Sequence, residues 1–210
     1  MPAHDHDHTP VSHDAKPGYY EVMETAVREL LVGKQLIRAD EIRRMLEVMD
    51  SRNRALGAKL VARAWVDPEF RARLLASGRA ACEELGISFF EDTQLIVVEN
   101  TEKIHNILVC TLCSCYPRPV LGLPPDWYKS RAYRSRAVRE PRGVLTEFGT
   151  VLPEGVTVRV HDSTADMRYL VLPMRPEGTE ALSESELAEL VTRDSMVGVS
   201  LPLKPEAATV

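Results

Sequence analysis

The chain has 210 residues, of which 44% are hydrophobic and 27% charged, with a formal net charge of −5. That is ordinary globular composition, long enough for one sizeable core or a core plus a helical arm. The acidic balance argues against nucleic acid or an anionic membrane as a partner. No apolar run approaches the ~18 residues of a membrane span, and the N-terminus lacks a signal-peptide pattern.

Residues 1–17 carry His4, His6, His8 and His13 among Asp5, Asp7 and Asp14, with almost nothing apolar. They read as an unfolded, solvated tail, although alternating imidazole and carboxylate also suits a loosely held cobalt, nickel or zinc ion. From Tyr19 to about Leu85 the apolar period is helical. Val22, Ala26, Leu30 and Leu31 share one face, as do Ile42, Met45, Leu46 and Met49. Asp67-Pro68 reads as an N-cap followed by proline at the first helical position, and Gly86 as a stop. Cys82 on the last of these helices reads as a small buried apolar residue.

After Gly86 the period shortens. Leu95–Val98 and Ile104–Val109 flank Asn100-Thr-Glu-Lys103 and read as a hairpin or tight strand pair. Pro117, Pro119, Pro124 and Pro125 forbid regular helix directly downstream. One helix is expected over about 126–148, then strands Val156–Val160 and Arg168–Leu172. Ser183 and Glu186 form a capping box for a last helix. Helices first and mixed elements after predict an α+β fold. The division is a tail over 1–17, a helical N-terminal arm over 18–86 and a globular domain over 87–203.

Three of the four cysteines fall within six residues, Cys110-Thr-Leu-Cys113-Ser-Cys115. A fourth thiolate for a closed zinc site is missing, and a redox C-x-x-C has no use for a third sulfur. Such crowding suits metal binding in a reducing compartment, with the cytoplasm as default, better than a disulfide framework. The spacing fits a claw in which three thiolates and two intervening peptide nitrogens close on one transition metal, leaving one position open. On spacing alone, a zinc site and a free reactive thiol cluster remain open.

The surroundings of the claw narrow this. Val109-Cys-Thr-Leu-Cys-Ser-Cys-Tyr-Pro117, Leu121-Gly-Leu-Pro-Pro125, Tyr133-Arg-Ser-Arg136 and Arg139-Glu-Pro-Arg142 resemble the alpha subunits of the nitrile hydratase family. Upstream, Ala64-Trp-Val-Asp-Pro68 and Val98-Glu-Asn-Thr101 match as well, and downstream Ser195-Met-Val-Gly198 does, so the likeness spans about residues 20–200. It implies a helical arm followed by a layered α/β/β/α-like domain. It also implies one cobalt(III) per chain, held by Cys110, Cys113 and Cys115 and by the main-chain nitrogens of Ser114 and Cys115. Thr111 matches the cobalt-type motif. The likeness further implies that Cys113 becomes a sulfinate and Cys115 a sulfenate.

The implied reaction is hydration of a nitrile to the amide by a hydro-lyase that works only with a beta-type partner, one chain or two, whose arginines meet the sulfur oxygens. The attacking oxygen is left open among one held by the metal, a nearby water and the Cys115 sulfenate. Ser114 and Tyr116 are the nearest local donors, and Arg168 matches an arginine near the subunit contact or is an ordinary surface residue. Arg118 stands where cobalt-type members carry tryptophan, which points to a polar nitrile or to the gamma subunit of thiocyanate hydrolase, a sister enzyme with the same claw. The non-enzyme alternative is a cobalt-storage or chaperone protein. The basic stretch Lys129–Arg142 is assigned to salt bridges and subunit contacts, since the chain as a whole is acidic.

Overall fold

The computed structural model describes residues 18–89, 93–113 and 115–205; the His/Asp-rich segment and Ser114 lie outside them. Internal contacts divide the chain into two compact units, Met1–Val48 and Met49–Val210. The first holds α1 (Tyr19–Gly33) and most of α2 (Ala39–Ser51). The α1 start is closed by the Gly18 N–H donating to Glu21 Oε2 at 2.8 Å, and left-handed Gln35 turns the chain toward α2. No residue of α1 is buried: Tyr19, Tyr20, Val22, Val27 and Leu30 all stand exposed.

The second unit begins with α3 (Arg54–Val66), α4 (Pro68–Ala76) and α5 (Gly78–Glu84). Asn53, Asp67 and Ser77 cap them, each side chain accepting a main-chain N–H of the first turn, with Pro68 opening α4 as its spacing predicts. Leu60, Val61, Phe70, Leu74 and Cys82 are buried from these helices, so α3–α5 contribute directly to the core that also contains the strands.

The strands correct one expectation. β1 (Gln94–Glu99) and β2 (Ile104–Val109) are joined by a tight turn closed by a Thr101–Ile104 bridge, yet they do not pair as a hairpin. β1 pairs in parallel with β4 (Met167–Leu172), and β2 in parallel with β3 (Thr157–Asp162). The burial of β2 explains this. Five consecutive residues from His105 to Val109 are buried, the pattern of a strand covered on both faces and not of a half-wet hairpin. α4 and α5 pack on β1, α11 (Arg193–Val197) on β4, α8 (Arg131–Arg139) on β2 and α9 (Pro141–Glu147) on β3. Helices thus flank the strands in a mixed α+β architecture.

A second correction concerns residues 126–148. In place of one helix there are α7 (Asp126–Lys129), α8 and α9, interrupted at Ser130 and at Glu140 before Pro141. Ser130 is extended and caps α8 by accepting the Tyr133 N–H, and Pro141 excludes a helical residue before it. Two smaller corrections concern α6 (Arg118–Leu121) and α10 (Glu184–Glu189). The prolines still admit α6 as one short turn, with Pro119 in its first turn where no N–H is required. α10 carries the expected Ser183/Glu186 box but is followed by α11, so it is not the last helix.

A buried polar network ties the β1–β2 turn to the end of α11. His105 Nε2 donates to the Gly198 carbonyl at 2.7 Å, and its Nδ1 lies 3.3 Å from Asn100 Nδ2. Asn100 Oδ1 accepts the Asn106 N–H, while Asn106 Oδ1 accepts from His161 Nε2. Burial holds both imidazoles below the ordinary histidine value, with Arg159 adding to the effect at His161. A histidine with a depressed folded pKa contributes full stability above its unfolded value and loses it as pH falls toward the folded one. The urea midpoint is therefore expected to fall between pH 7 and pH 5, before the carboxylates titrate. The fall should be smaller in His105→Gln, and an equal fall in that variant would rule the network out as the cause.

Candidate metal centre

The claw begins where β2 ends. Val109 pairs with Asp162 in the last register of β2 and β3, and its carbonyl accepts the Ser163 N–H. Cys110 follows at 1% exposure, and the chain then turns out to solvent through Thr111, Leu112 and Cys113 before returning through Cys115 to buried Tyr116. All three cysteines are free thiols, with their Sγ atoms within 4.8 Å of one another. Cys110 and Cys113 stand 3.4 Å apart, Cys113 and Cys115 3.1 Å, and the Cys113 N–H turns inward to Cys110 Sγ at 3.3 Å.

Sulfurs this close can converge on one ion, since two metal–sulfur bonds of about 2.3 Å span at most about 4.6 Å. No histidine or carboxylate joins the three sulfurs among the described residues. The donor set therefore fits a transition metal completed by main-chain nitrogen.

Long-range contacts hold the loop. Asp162 grips Thr111 twice: Oδ1 accepts its N–H at 2.9 Å and Oδ2 its hydroxyl at 2.5 Å. The Thr111 carbonyl accepts from Arg134 Nη1 at 3.4 Å. Tyr128 donates its hydroxyl to the Cys115 carbonyl at 3.0 Å, and Tyr133 donates to the Leu108 carbonyl. The rings of Tyr116, Tyr128, Tyr133, Trp127 and Phe148 stack edge to face or tilted beneath, at centroid distances of 4.8–6.4 Å.

This chain belongs to the nitrile hydratase alpha-chain family. The family's sequence model, described as nitrile hydratase, alpha chain, matches residues 18–200. The low-molecular weight cobalt-containing nitrile hydratase subunit alpha of Rhodococcus rhodochrous is 55% identical over 184 residues, covering 87% of this chain and 89% of the relative. The thiocyanate hydrolase subunit gamma of Thiobacillus thioparus is 43% identical over 194 residues, 87% of this chain and 80% of that one. Among solved structures, a recombinant thiocyanate hydrolase with partially modified cobalt centres superposes with a TM-score of 0.84 at 39% identity. It covers 93% of this chain and 97% of that one.

Within this family member, burial, reinforced by Cys113, pushes the metal-free Cys115 thiol up to about 12, opposed by the charge of Arg168. A metal entering the claw must displace that proton. The Arg168 guanidinium is folded over its own turn, donating to the carbonyls of Thr164 and Ala165. Tyr116 is 2% exposed, and the charges bearing on its phenol are Arg193 and Asp194; Tyr128, by contrast, feels Cys110 and Cys115. Arg118 opens α6 three residues beyond Cys115, exposed and with no carboxylate paired to it among the described residues. Ser114 lies outside the described residues.

Asp162, Tyr128 and Arg134 are absent from the candidates read off the sequence. Asp162 lies 51 residues from Thr111 and Arg134 lies 23, so no local spacing announces either. The one usable signal is a tyrosine-rich stretch downstream of a metal motif, whose hydroxyls need acceptors once buried.

Proposed function

We propose that this chain is the metal-carrying alpha-type subunit of a cobalt nitrile hydratase, a hydro-lyase that converts a nitrile to its amide together with a beta-type partner. The observation that carries the reading is the convergence of the Cys110, Cys113 and Cys115 thiols, whose sulfurs all lie within 4.8 Å of one another. Their thiolates, with the main-chain nitrogens of Ser114 and Cys115, are the proposed ligands. When bound, one cobalt(III) supplies Lewis acidity that polarises the carbon–nitrogen triple bond.

This chain's residues prepare that chemistry. Cys113 as a sulfinate and Cys115 as a sulfenate would present anionic oxygens at the mouth of the claw. Arg168 supplies a positive charge beside Cys115, and the Ser114 hydroxyl is a local donor. Tyr116 supports the loop from below through its ring contact with Tyr128 at 4.9 Å. The exposed apolar face of α1 in one unit, and Leu112 and Leu123 at 87% and 71% exposure in the other, favour a subunit partner over a lone enzyme. Of the arm expected over 18–86, we assign α1 and α2 to partner binding, whereas α3–α5 share the core of the unit that carries the claw. No helix among the described residues is long and apolar enough to cross a membrane, and free thiols awaiting a metal suit the cytoplasm.

Co-expression with a beta-type chain in cobalt-supplemented medium is expected to give about one cobalt per claw, as the N/S donor set requires. The peptide holding Cys113 and Cys115 should gain oxygen mass. Hydration should fall below about a hundredth without the partner, equivalent to about 3 kcal/mol of transition-state stabilisation. Stoichiometric zinc with three unmodified thiols in an active complex would overturn the reading, as would a fully active isolated chain.

Exposed Arg118, with no carboxylate paired to it among the described residues, supports a polar or anionic substrate, and with it a second reading as the gamma-type subunit of a thiocyanate hydrolase. A charge-assisted contact contributes about 1.5–3 kcal/mol. Arg118→Trp is therefore expected to shift kcat/KM by about ten-fold or more, away from thiocyanate or polar nitriles and toward small apolar nitriles. An unchanged substrate ranking, with assembly alone weakened, would place Arg118 at the subunit contact.

A further inference from the structure

Thr111, between the first two claw cysteines, is held from two directions by charged side chains of opposite sign. Asp162 takes its N–H and its hydroxyl, and Arg134 donates to its carbonyl. The main-chain polar groups of one residue are thus fixed by a carboxylate at the end of β3 and a guanidinium from the middle of α8. Neither partner is local, so the contact ties the loop to two separate elements of the core. A second observation concerns Arg134 alone. Its Nε–H is buried and finds no acceptor among the described residues. Buried donors are nearly always satisfied, because an unmet one forfeits its hydrogen bond to water with nothing in return. Arg134 is thus half-buried against the claw loop with one bond made to it and a second buried donor facing no acceptor among the described residues.

We propose that Arg134 is a positioning residue for the metal claw: with Asp162 it clamps the Thr111 peptide, and its unfilled Nε–H is engaged by an acceptor of the loop once the claw has closed on its metal. This rests on the reading of Cys110, Cys113 and Cys115 as the metal site. The clamp sets the direction in which the chain leaves Cys110, and hence whether Cys113 and Cys115 fall on the same ion. A planar fork suits two acceptors at fixed angles, whereas an ammonium offers no such fixed pair and an amide only a short reach.

The test compares the complex of parent chain and partner with Arg134→Lys and Arg134→Gln. Metal per chain, the sulfur-to-metal charge-transfer absorption and thermal unfolding are measured for each. Arg134→Gln is expected to unfold within a few degrees of the parent yet to hold at least about three-fold less metal, or to shift the absorption band, as loss of an outer support does to metal affinity. Arg134→Lys, which keeps the Thr111 contact but lacks the second donor, should recover metal content more than band position. Metal content and spectrum equal to the parent in both variants would overturn the proposal. If Arg134→Gln fails to accumulate as folded complex, Arg134→Lys decides by its band position alone: shifted supports the clamp, unshifted removes it. A parent that holds zinc or no metal refutes the cobalt reading instead, and the two failures are distinguished because the clamp is judged by each variant's ratio to the parent.

Discussion

Gly198→Ala is expected to be strongly destabilising. Gly198 ends α11 in the left-handed region at φ 89°, its N–H donating to the Asp194 carbonyl, while its own carbonyl accepts from buried His105. A Cβ built there meets the Asn106 carbonyl oxygen at 2.0 Å and the Ile107 Cα at 3.1 Å, both main chain of β2 and unable to move aside. The left-handed conformation costs an L-residue about 1–2 kcal/mol, and forcing β2 away adds about 1–3 kcal/mol. Together that is about 4 kcal/mol against a typical total of about 5–15 kcal/mol, a drop in Tm of about 8–16 °C for a chain of this size. Gly86→Ala is the control, since Gly86 is left-handed at φ 74° but its added Cβ meets nothing within 4 Å. It should cost only the backbone strain. Equal losses in the two variants would show that the close approach to β2 contributes nothing.

Cys110→Ser should abolish metal retention while sparing the fold. Cys110 is the proposed ligand at the fixed end of the claw, 1% exposed and directly following β2, so Cys113 and Cys115 would close onto a point that it defines. An alcohol oxygen in place of a thiolate is a harder and far less acidic donor, poorly matched to a claw otherwise built on sulfur. Metal per chain is expected to fall to less than about a tenth of the parent's and hydration by more than about 100-fold, beyond the loss typical of outer-shell changes. Cys82→Ser provides the comparison. That thiol is fully buried in α5, and burial pushes it up to about 12, so it neither ionises nor reaches the claw. Cobalt measured by elemental analysis in both variants decides: equal content would mean that Cys110 is no ligand.

The site was legible in part because its ligands are neighbours in sequence. Cys110, Cys113 and Cys115 lie so close along the chain that any turn at the end of β2 brings their sulfurs near one another, and the flanking residues identify the family. Helix caps at Asp67, Ser183 and Pro68 were legible for a similar reason, since a cap is a contact across three residues. The strand pairing was not. Two apolar runs around a four-residue turn resemble a hairpin, and only the partners β3 and β4, about 50 to 75 residues downstream in the registers, draw them into parallel pairs. The breaks within 126–148, by contrast, are local, a Ser130 cap and a proline at 141, and the single helix expected there passed over both.

Composition and local pattern thus determined the helical N-terminal half, several caps, the family and the candidate metal ligands, because each rests on residues within a few positions of one another. The tertiary structure alone decided what grips those ligands. Asp162, Arg134 and Tyr128 reach the claw loop from β3, α8 and α7, and their charges and hydroxyls acquire those roles only when the chain folds them onto Thr111 and Cys115. The same holds for Gly198, an ordinary helix stop in sequence whose lack of a side chain matters because β2 passes within contact of it. A sequence fixes contacts across short separations through backbone geometry, whereas contacts across long separations exist only after burial has chosen which surfaces meet.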